Sequence, residues 1–146
     1  MGSSVQYHAE TFDTYFAPID RIYPGLSDRI AEDFKVYVDS CRGIVPDYMG
    51  RDAPYMRPIE AEKAHLSHIH IRLPPGKFRR DVAQYYRVCS WGKAKEDAAL
   101  VYVKGLLDED AYLLIALLWP DAHGLARNSG LMKYFARLAN GWRDEN

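Results

Sequence analysis

The stretch "AALVYVKGLLDEDAYLLIALLWP", residues 98–120, reads as a β-hairpin and sets the fold class. A strand over 99–104 leads into a turn around Asp108 to Asp110, and a second strand runs over 111–119 until Pro120 stops it. That second strand is apolar on both faces, as a central buried strand is. Upstream, "AHLSHIHIRL" (64–73) reads as a further strand with two histidines and an arginine among its aliphatics. Side chains alternate along a strand, so Leu66, His68, His70 and Arg72 share one face and Ser67, Ile69, Ile71 and Leu73 the other.

Helices flank these strands. In "PGLSDRIAEDFKVYVDSCRG", Ile30, Phe34, Tyr37, Val38 and Cys41 recur at helical spacing, with Ser27 the expected N-cap and Gly43 the end. A second helix begins near Asn128, with Leu131, Phe135, Leu138, Ala139 and Trp142 on one side. "SVQYHAETFDTYF" offers an edge strand. "IVPDYMGRDAPYMRP" (44–58) is a loop by its proline, glycine and aspartate content. Tyr85 to Ser90 suggests one more short strand. The expected fold is α+β: a mainly antiparallel sheet of three to five strands with an N-terminal and a C-terminal helix, residues 1–146 forming one domain. With the helices on the Ile69/Ile71/Leu73 side, His68, His70 and Arg72 would look out from an open sheet face.

Composition narrows the function classes. Hydrophobic residues make up 48% and charged residues 27%, globular values that exclude disordered and fibrous classes. The longest apolar run, Ala111 to Trp119, is far short of the roughly 20 residues of a membrane span, and no secretory signal is recognisable. Cys41 and Cys89 have no framework or metal-ligand spacing, in keeping with a cytoplasmic protein and no membrane association. A net charge of -1 speaks against a nucleic-acid binder, but its distribution does not. From Lys63 to Lys104 there are nine basic residues against three acidic ones, so the middle of the chain is basic enough for an anionic ligand.

Three groups of residues could carry chemistry. His68 and His70, at i and i+2, present two imidazoles on one side. They could be surface histidines, metal ligands joined by His65 or His123, or acid–base groups, which imidazole suits because it titrates near neutrality. Against metal stand the absence of an HExxH pattern or cysteine pair and the many nearby cations. In "PDAHGLARNSG", His123 and Arg127 lie in a loop running into a helix start, where unpaired N–H groups favour anions. Arg51, between Gly50 and Asp52 in "PDYMGRD" (46–52), is the third group; it could equally be a salt-bridged turn, and the structural reading is preferred.

Taken together, "IVPDYMGRDAPY", the "HIH" at 68–70 and above all "EDAALVYVKGLLDEDAYLLIALLWPDAHGLARNSGLM" (96–132) resemble the YafO-type toxins of bacterial toxin–antitoxin systems. The resemblance covers residues 44–142 apart from the basic stretch 74–95; in the first 40 residues only the helix matches in character. It implies a ribosome-dependent mRNA interferase, an endoribonuclease that cuts mRNA during translation and is silenced by a cognate antitoxin of the YafN type. By looser analogy it implies a RelE-like fold. Such an enzyme needs no cofactor and no metal: proton-transfer groups and one or two fixed cations suffice. His68, His70, His123 and Arg127 are the catalytic candidates. Arg72, Lys77, Arg79, Arg80, Arg87, Lys93 and Lys95 are the RNA-binding candidates. RelE-type enzymes often use a tyrosine near the C-terminus, whereas this chain has none after Tyr134. The alternative is a non-catalytic RNA-, ribosome- or antitoxin-binding protein of the same fold, with Tyr85, Tyr86 and Trp91 as stacking surfaces.

Overall fold

The structure is a computed structural model, and it describes residues 2–146. Strand β1 (Ser4–Tyr7) leads into three helices, α1 (Ala9–Tyr15), α2 (Ala17–Ile22) and α3 (Leu26–Asp39). Strand β2 (Met49–Pro54), helix α4 (Ile59–Lys63) and strand β3 (Ser67–Ile71) follow. A long basic segment with two short 3-10 turns then reaches β4 (Ala98–Lys104) and β5 (Ala111–Leu118), and α5 (Ala122–Ala126) and α6 (Ser129–Arg143) close the chain. The five strands form one sheet in the order β1-β5-β4-β3-β2, antiparallel throughout except for the parallel β1–β5 pair.

Strand alternation sorts the core into two layers. Ile69, Ile71, Leu100, Tyr102, Tyr112 and Leu114 face the N-terminal helices, meeting Phe16, Ile30, Phe34 and Tyr37. The Phe34 ring packs edge-on against Tyr102 at 5.0 Å and Tyr112 at 5.4 Å. Leu66, Ala99, Val101, Val103, Leu113 and Ile115 face the other way, onto Met132, Phe135, Ala136 and Ala139 of α6 and Ala61 of α4. Val101 pairs with Ala116 but Tyr102 with Leu114, so Ile115 is an extra residue in β5. That bulge places the neighbours Ile115 and Ala116 in the same layer.

Several sequence expectations change. The sheet has no open side: α4 and α6 cover much of the face that carries His68 and His70, because the apolar stripe of α6 needs a sheet face of its own and the other is already taken. Residues 44–58 are not all loop, since edge strand β2 forms within them; Gly50 and Pro54 are tolerated because an edge strand pairs on one side only. Tyr85 to Ser90 forms no strand. It holds part of a 3-10 turn and touches the sheet where Arg51 donates its backbone N–H to the Arg87 carbonyl at 2.8 Å. Helix α3 is capped by Gly25 in the left-handed region rather than by Ser27, which lies within the helix and bonds to Asp20. The helix stops at Asp39, before Gly43, and leaves Cys41 exposed.

Gly50 lets the basic segment lie close on β2. A Cβ there would collide with the Arg87 carbonyl oxygen and approach the Phe78 ring within 2.9–3.0 Å. Gly50→Ala is therefore expected to cost roughly 1–3 kcal/mol by overpacking, measured as a lowered midpoint in thermal or urea unfolding.

Candidate active site

Three imidazoles converge where β3 and β4 pass beneath α5. His68 and His70 project from β3 opposite Val101 and Ala99 of β4, and His123 comes from α5. The ring centres are 5.6 Å apart for His68 and His70 and 5.7 Å for His70 and His123. With Tyr55, Ala99, Ala122 and Ala126 they line a hollow of 40 Å³, room for about one water molecule. The three alanines leave that space.

Each ring is held differently. Tyr55 stacks on His68 at 4.0 Å with the planes 15° apart. His70 is buried, and its Nδ1 accepts the backbone N–H of Cys89 at 3.0 Å. A neutral His70 therefore carries its proton on Nε2 and can donate from that atom. The Nδ1 of His123 lies 2.7 Å from Oδ2 of Asp97, and the same oxygen accepts the His123 backbone N–H at 2.9 Å. Burial lowers both β3 histidines to about 4. For His68 the charges of His70 and His123 add to the effect, and for His70 that of His123; Arg51 contributes at both, while Asp97 opposes the shift at His70. Both are neutral at pH 7.

The loop between β5 and α6 is built to present His123. Trp119 donates its indole N–H to the Lys95 carbonyl at 2.9 Å, Asp121 donates its backbone N–H to Ala94 at 2.9 Å, and Ala122 donates to the Asp97 carbonyl at 3.1 Å. Asp121, in the left-handed region, caps α5 by accepting the Gly124 N–H. Asn128 caps α6 by accepting from Leu131 at 3.0 Å. Between the two caps Arg127 lays its guanidinium 4.0 Å over the ring of Trp91, which itself lies 5.1 Å from His123.

Of the four catalytic candidates, the structure gathers His68, His70 and His123 around one hollow and sets Arg127 beside it through Trp91. His65 is exposed and does not line it. The expectation that His70 looks outward is corrected: it is 7% exposed and holds the backbone of the basic segment. Arg72 also departs from the open-face picture, since it follows β3 and its guanidinium lies 4.9 Å over the Phe78 ring. The basic candidates divide. Lys77, Arg79 and Lys93 pair with Asp47, Asp81 and Glu96, Arg87 bonds back to the Val82 carbonyl, and Arg80 and Lys95 are exposed.

Sequence reading missed Asp97 and set Arg51 aside. Arg51 and Asp52 point to opposite faces. Asp52 accepts from the hydroxyls of Tyr37 and Tyr102 and pairs with Arg42, whereas Arg51 stacks on Tyr85 at 3.9 Å and acts on the histidine side. The signal for Asp97 was its place as a carboxylate directly before the apolar strand 98–103.

A sheet that presents clustered imidazoles, with a guanidinium stacked on the neighbouring Trp91, has the residue types that acid–base chemistry on an anionic substrate uses. Comparison with known proteins makes this specific. The chain belongs to the family described as Toxin YafO, type II toxin-antitoxin system, whose model matches residues 32–144. The mRNA interferase toxin YafO of Escherichia coli (strain K12) is 34% identical over 121 residues, 80% of this chain and 84% of that protein. No solved structure matches.

Proposed function

We propose that this toxin is an endoribonuclease that cleaves mRNA on translating ribosomes in the cytoplasm and is silenced by an antitoxin of the YafN type. The observation that supports it most is the convergence of His68, His70 and His123 on one hollow, with Arg127 stacked on the Trp91 ring beside His123. Cleavage of an RNA strand needs a group to take the ribose 2'-OH proton, donors for the phosphoryl oxygens, and fixed positive charge. The neutral His70, with Nε2–H free, donates to a phosphoryl oxygen. Arg127 and Arg51 supply charge. The exposed Tyr85, Tyr86 and Trp91, with the basic segment around them, offer stacking and phosphate contacts to the strand on either side.

Purified toxin added to translating ribosomes should generate new 5'-hydroxyl ends within codons, partnered by 2',3'-cyclic or 3'-phosphate ends, as read by primer extension and end-group analysis. Translation arrest with intact mRNA would instead establish the non-catalytic binder, and equal cleavage of naked RNA would remove the ribosome from the mechanism.

The site works without a metal ion. His70 Nδ1 accepts the Cys89 N–H, so the neutral ring carries its proton on Nε2 and offers a metal no lone pair, and the positive charge of Arg51 disfavours a cation beside His68 and His70. Toxin stripped with EDTA and then returned to magnesium-supported ribosomes should cleave at the original rate. Loss of activity restored only by stoichiometric zinc or manganese would refute metal independence.

A further inference from the structure

We infer that Asp97 is a positioning residue that fixes the tautomer of His123 and so makes Nε2 of His123 the atom that takes the 2'-OH proton. The inference rests on the endoribonuclease reading above and assigns that site its base. Asp97 is 1% exposed at the head of β4, and one carboxylate oxygen holds two parts of the same residue, the ring Nδ1 and the backbone N–H of His123. An ionised carboxylate has no proton to give, so the ring nitrogen facing it must be the donor in the neutral imidazole. The proton sits on Nδ1, and the lone pair lies on Nε2, the nitrogen farther from Asp97. His123 lines the hollow and Asp97 does not.

The dock is rigid. The Asp97 backbone carbonyl also accepts the Ala122 N–H, and Trp119 and Asp121 tie residues 94–95 to the same loop, so the carboxylate and the imidazole cannot drift apart independently. His70 is the complementary case: its Nδ1 accepts from Cys89, which puts the proton on Nε2. Two imidazoles 5.7 Å apart thus hold opposite tautomers, one a proton acceptor and one a hydrogen-bond donor.

In the step this implies, Nε2 of His123 takes the proton of the ribose 2'-OH as the 2' oxygen forms its bond to phosphorus. The bond from phosphorus to the 5' oxygen breaks, its electron pair leaves on that oxygen, and the oxygen takes a proton from water. The products are a 2',3'-cyclic phosphate and a 5'-hydroxyl, and His123 returns its proton to solvent. Asp97 touches neither substrate nor the reacting atoms.

The test combines a spectroscopic and a kinetic reading. Long-range proton–nitrogen correlation spectra of imidazole-labelled toxin, recorded with the ring neutral, should show His123 protonated on Nδ1 and His70 on Nε2. In Asp97→Leu, which keeps the size of the side chain and removes its acceptors, the His123 ring should lose its preference for the Nδ1–H form. Single-turnover cleavage of ribosome-bound mRNA should fall roughly 10²- to 10⁴-fold with little change in the concentration dependence. A wild-type His123 found as the Nε2–H tautomer overturns the inference, whether or not the variant folds. So does a folded Asp97→Leu that cleaves at the wild-type rate. The tautomer measurement involves no cleavage, so failure of the wild-type toxin to cut mRNA would count against the functional reading alone.

Discussion

His123→Asn is expected to lower cleavage of ribosome-bound mRNA by roughly 10²- to 10⁴-fold while leaving the protein folded, because it removes one atom of the site and keeps another. The asparagine amide nitrogen can stand near the position of the imidazole Nδ1 and still donate to Asp97, whereas nothing replaces Nε2. Alanine would be a poorer probe, since it leaves the buried Asp97 carboxylate without its side-chain partner, a costly change in its own right. The same logic applies to His70. In His70→Asn the side-chain oxygen can go on accepting the Cys89 N–H, while the Nε2–H donor is lost, and cleavage should fall by roughly 10²- to 10³-fold, the usual cost of removing one transition-state donor. Ile69→Ala supplies the contrast. Ile69 is fully buried in the other layer, so its truncation should cost about 2–5 kcal/mol of stability and leave the surviving folded fraction competent. Paired toxicity assays and thermal melts distinguish these outcomes. If both asparagine variants cleave like the wild type, the histidine hollow is not the catalytic centre.

The parts of this arrangement that the sequence discloses are those governed by local periodicity. The hairpin of β4 and β5, the α6 stripe with its Asn128 cap, and the division of β3 into an Ile69/Ile71 side and a His68/His70 side all follow from periods of two and 3.6 residues. What local pattern conceals is partnership across distance. Nothing near His123 announces that its ring partner lies 26 positions earlier, nor does the tyrosine-rich run at 85–86 reveal that it folds as a turn over β2. β2 itself reads as loop because pairing with β3, rather than propensity, makes it a strand. The covered second face was partly legible, since β5 is apolar on both sides and a strand of that kind needs packing on both. The choice of face for α6 is tertiary, and it turns His70 from a surface residue into a buried one.

That burial has a consequence that should be visible without any substrate. The toxin is expected to lose stability steeply as pH falls from about 6.5 to about 4. His68 and His70 both titrate near 4 in the folded protein, chiefly because burial disfavours the imidazolium and because the neighbouring His123 and Arg51 would repel it. His70 has a further reason to stay neutral, since protonating its Nδ1 would forfeit the Cys89 bond. In the unfolded chain both rings bind protons near the ordinary value of about 6.5, so within this window the unfolded state holds more protons and stability rises with pH. The contribution is complete above pH 6.5, declines through the window and is gone below about 4. A displacement of this size corresponds to about 3 kcal/mol for His70, on an order-of-magnitude scale. His68 adds a smaller amount, because its ring is more exposed to solvent and part of its depression is repulsion from the protonated form of His70. The carboxyl of Asp39, lowered to about 2 by the Ser3 backbone N–H, by Lys35 and by the Ser3 hydroxyl, acts only below this range and does not disguise the effect. Urea unfolding followed between pH 4 and pH 7.5 should show the slope, and His70→Asn should flatten it by the share that belongs to His70. A wild-type protein as stable at pH 4.5 as at pH 7, or a variant with an unchanged slope, would show that His70 is not buried as a neutral ring.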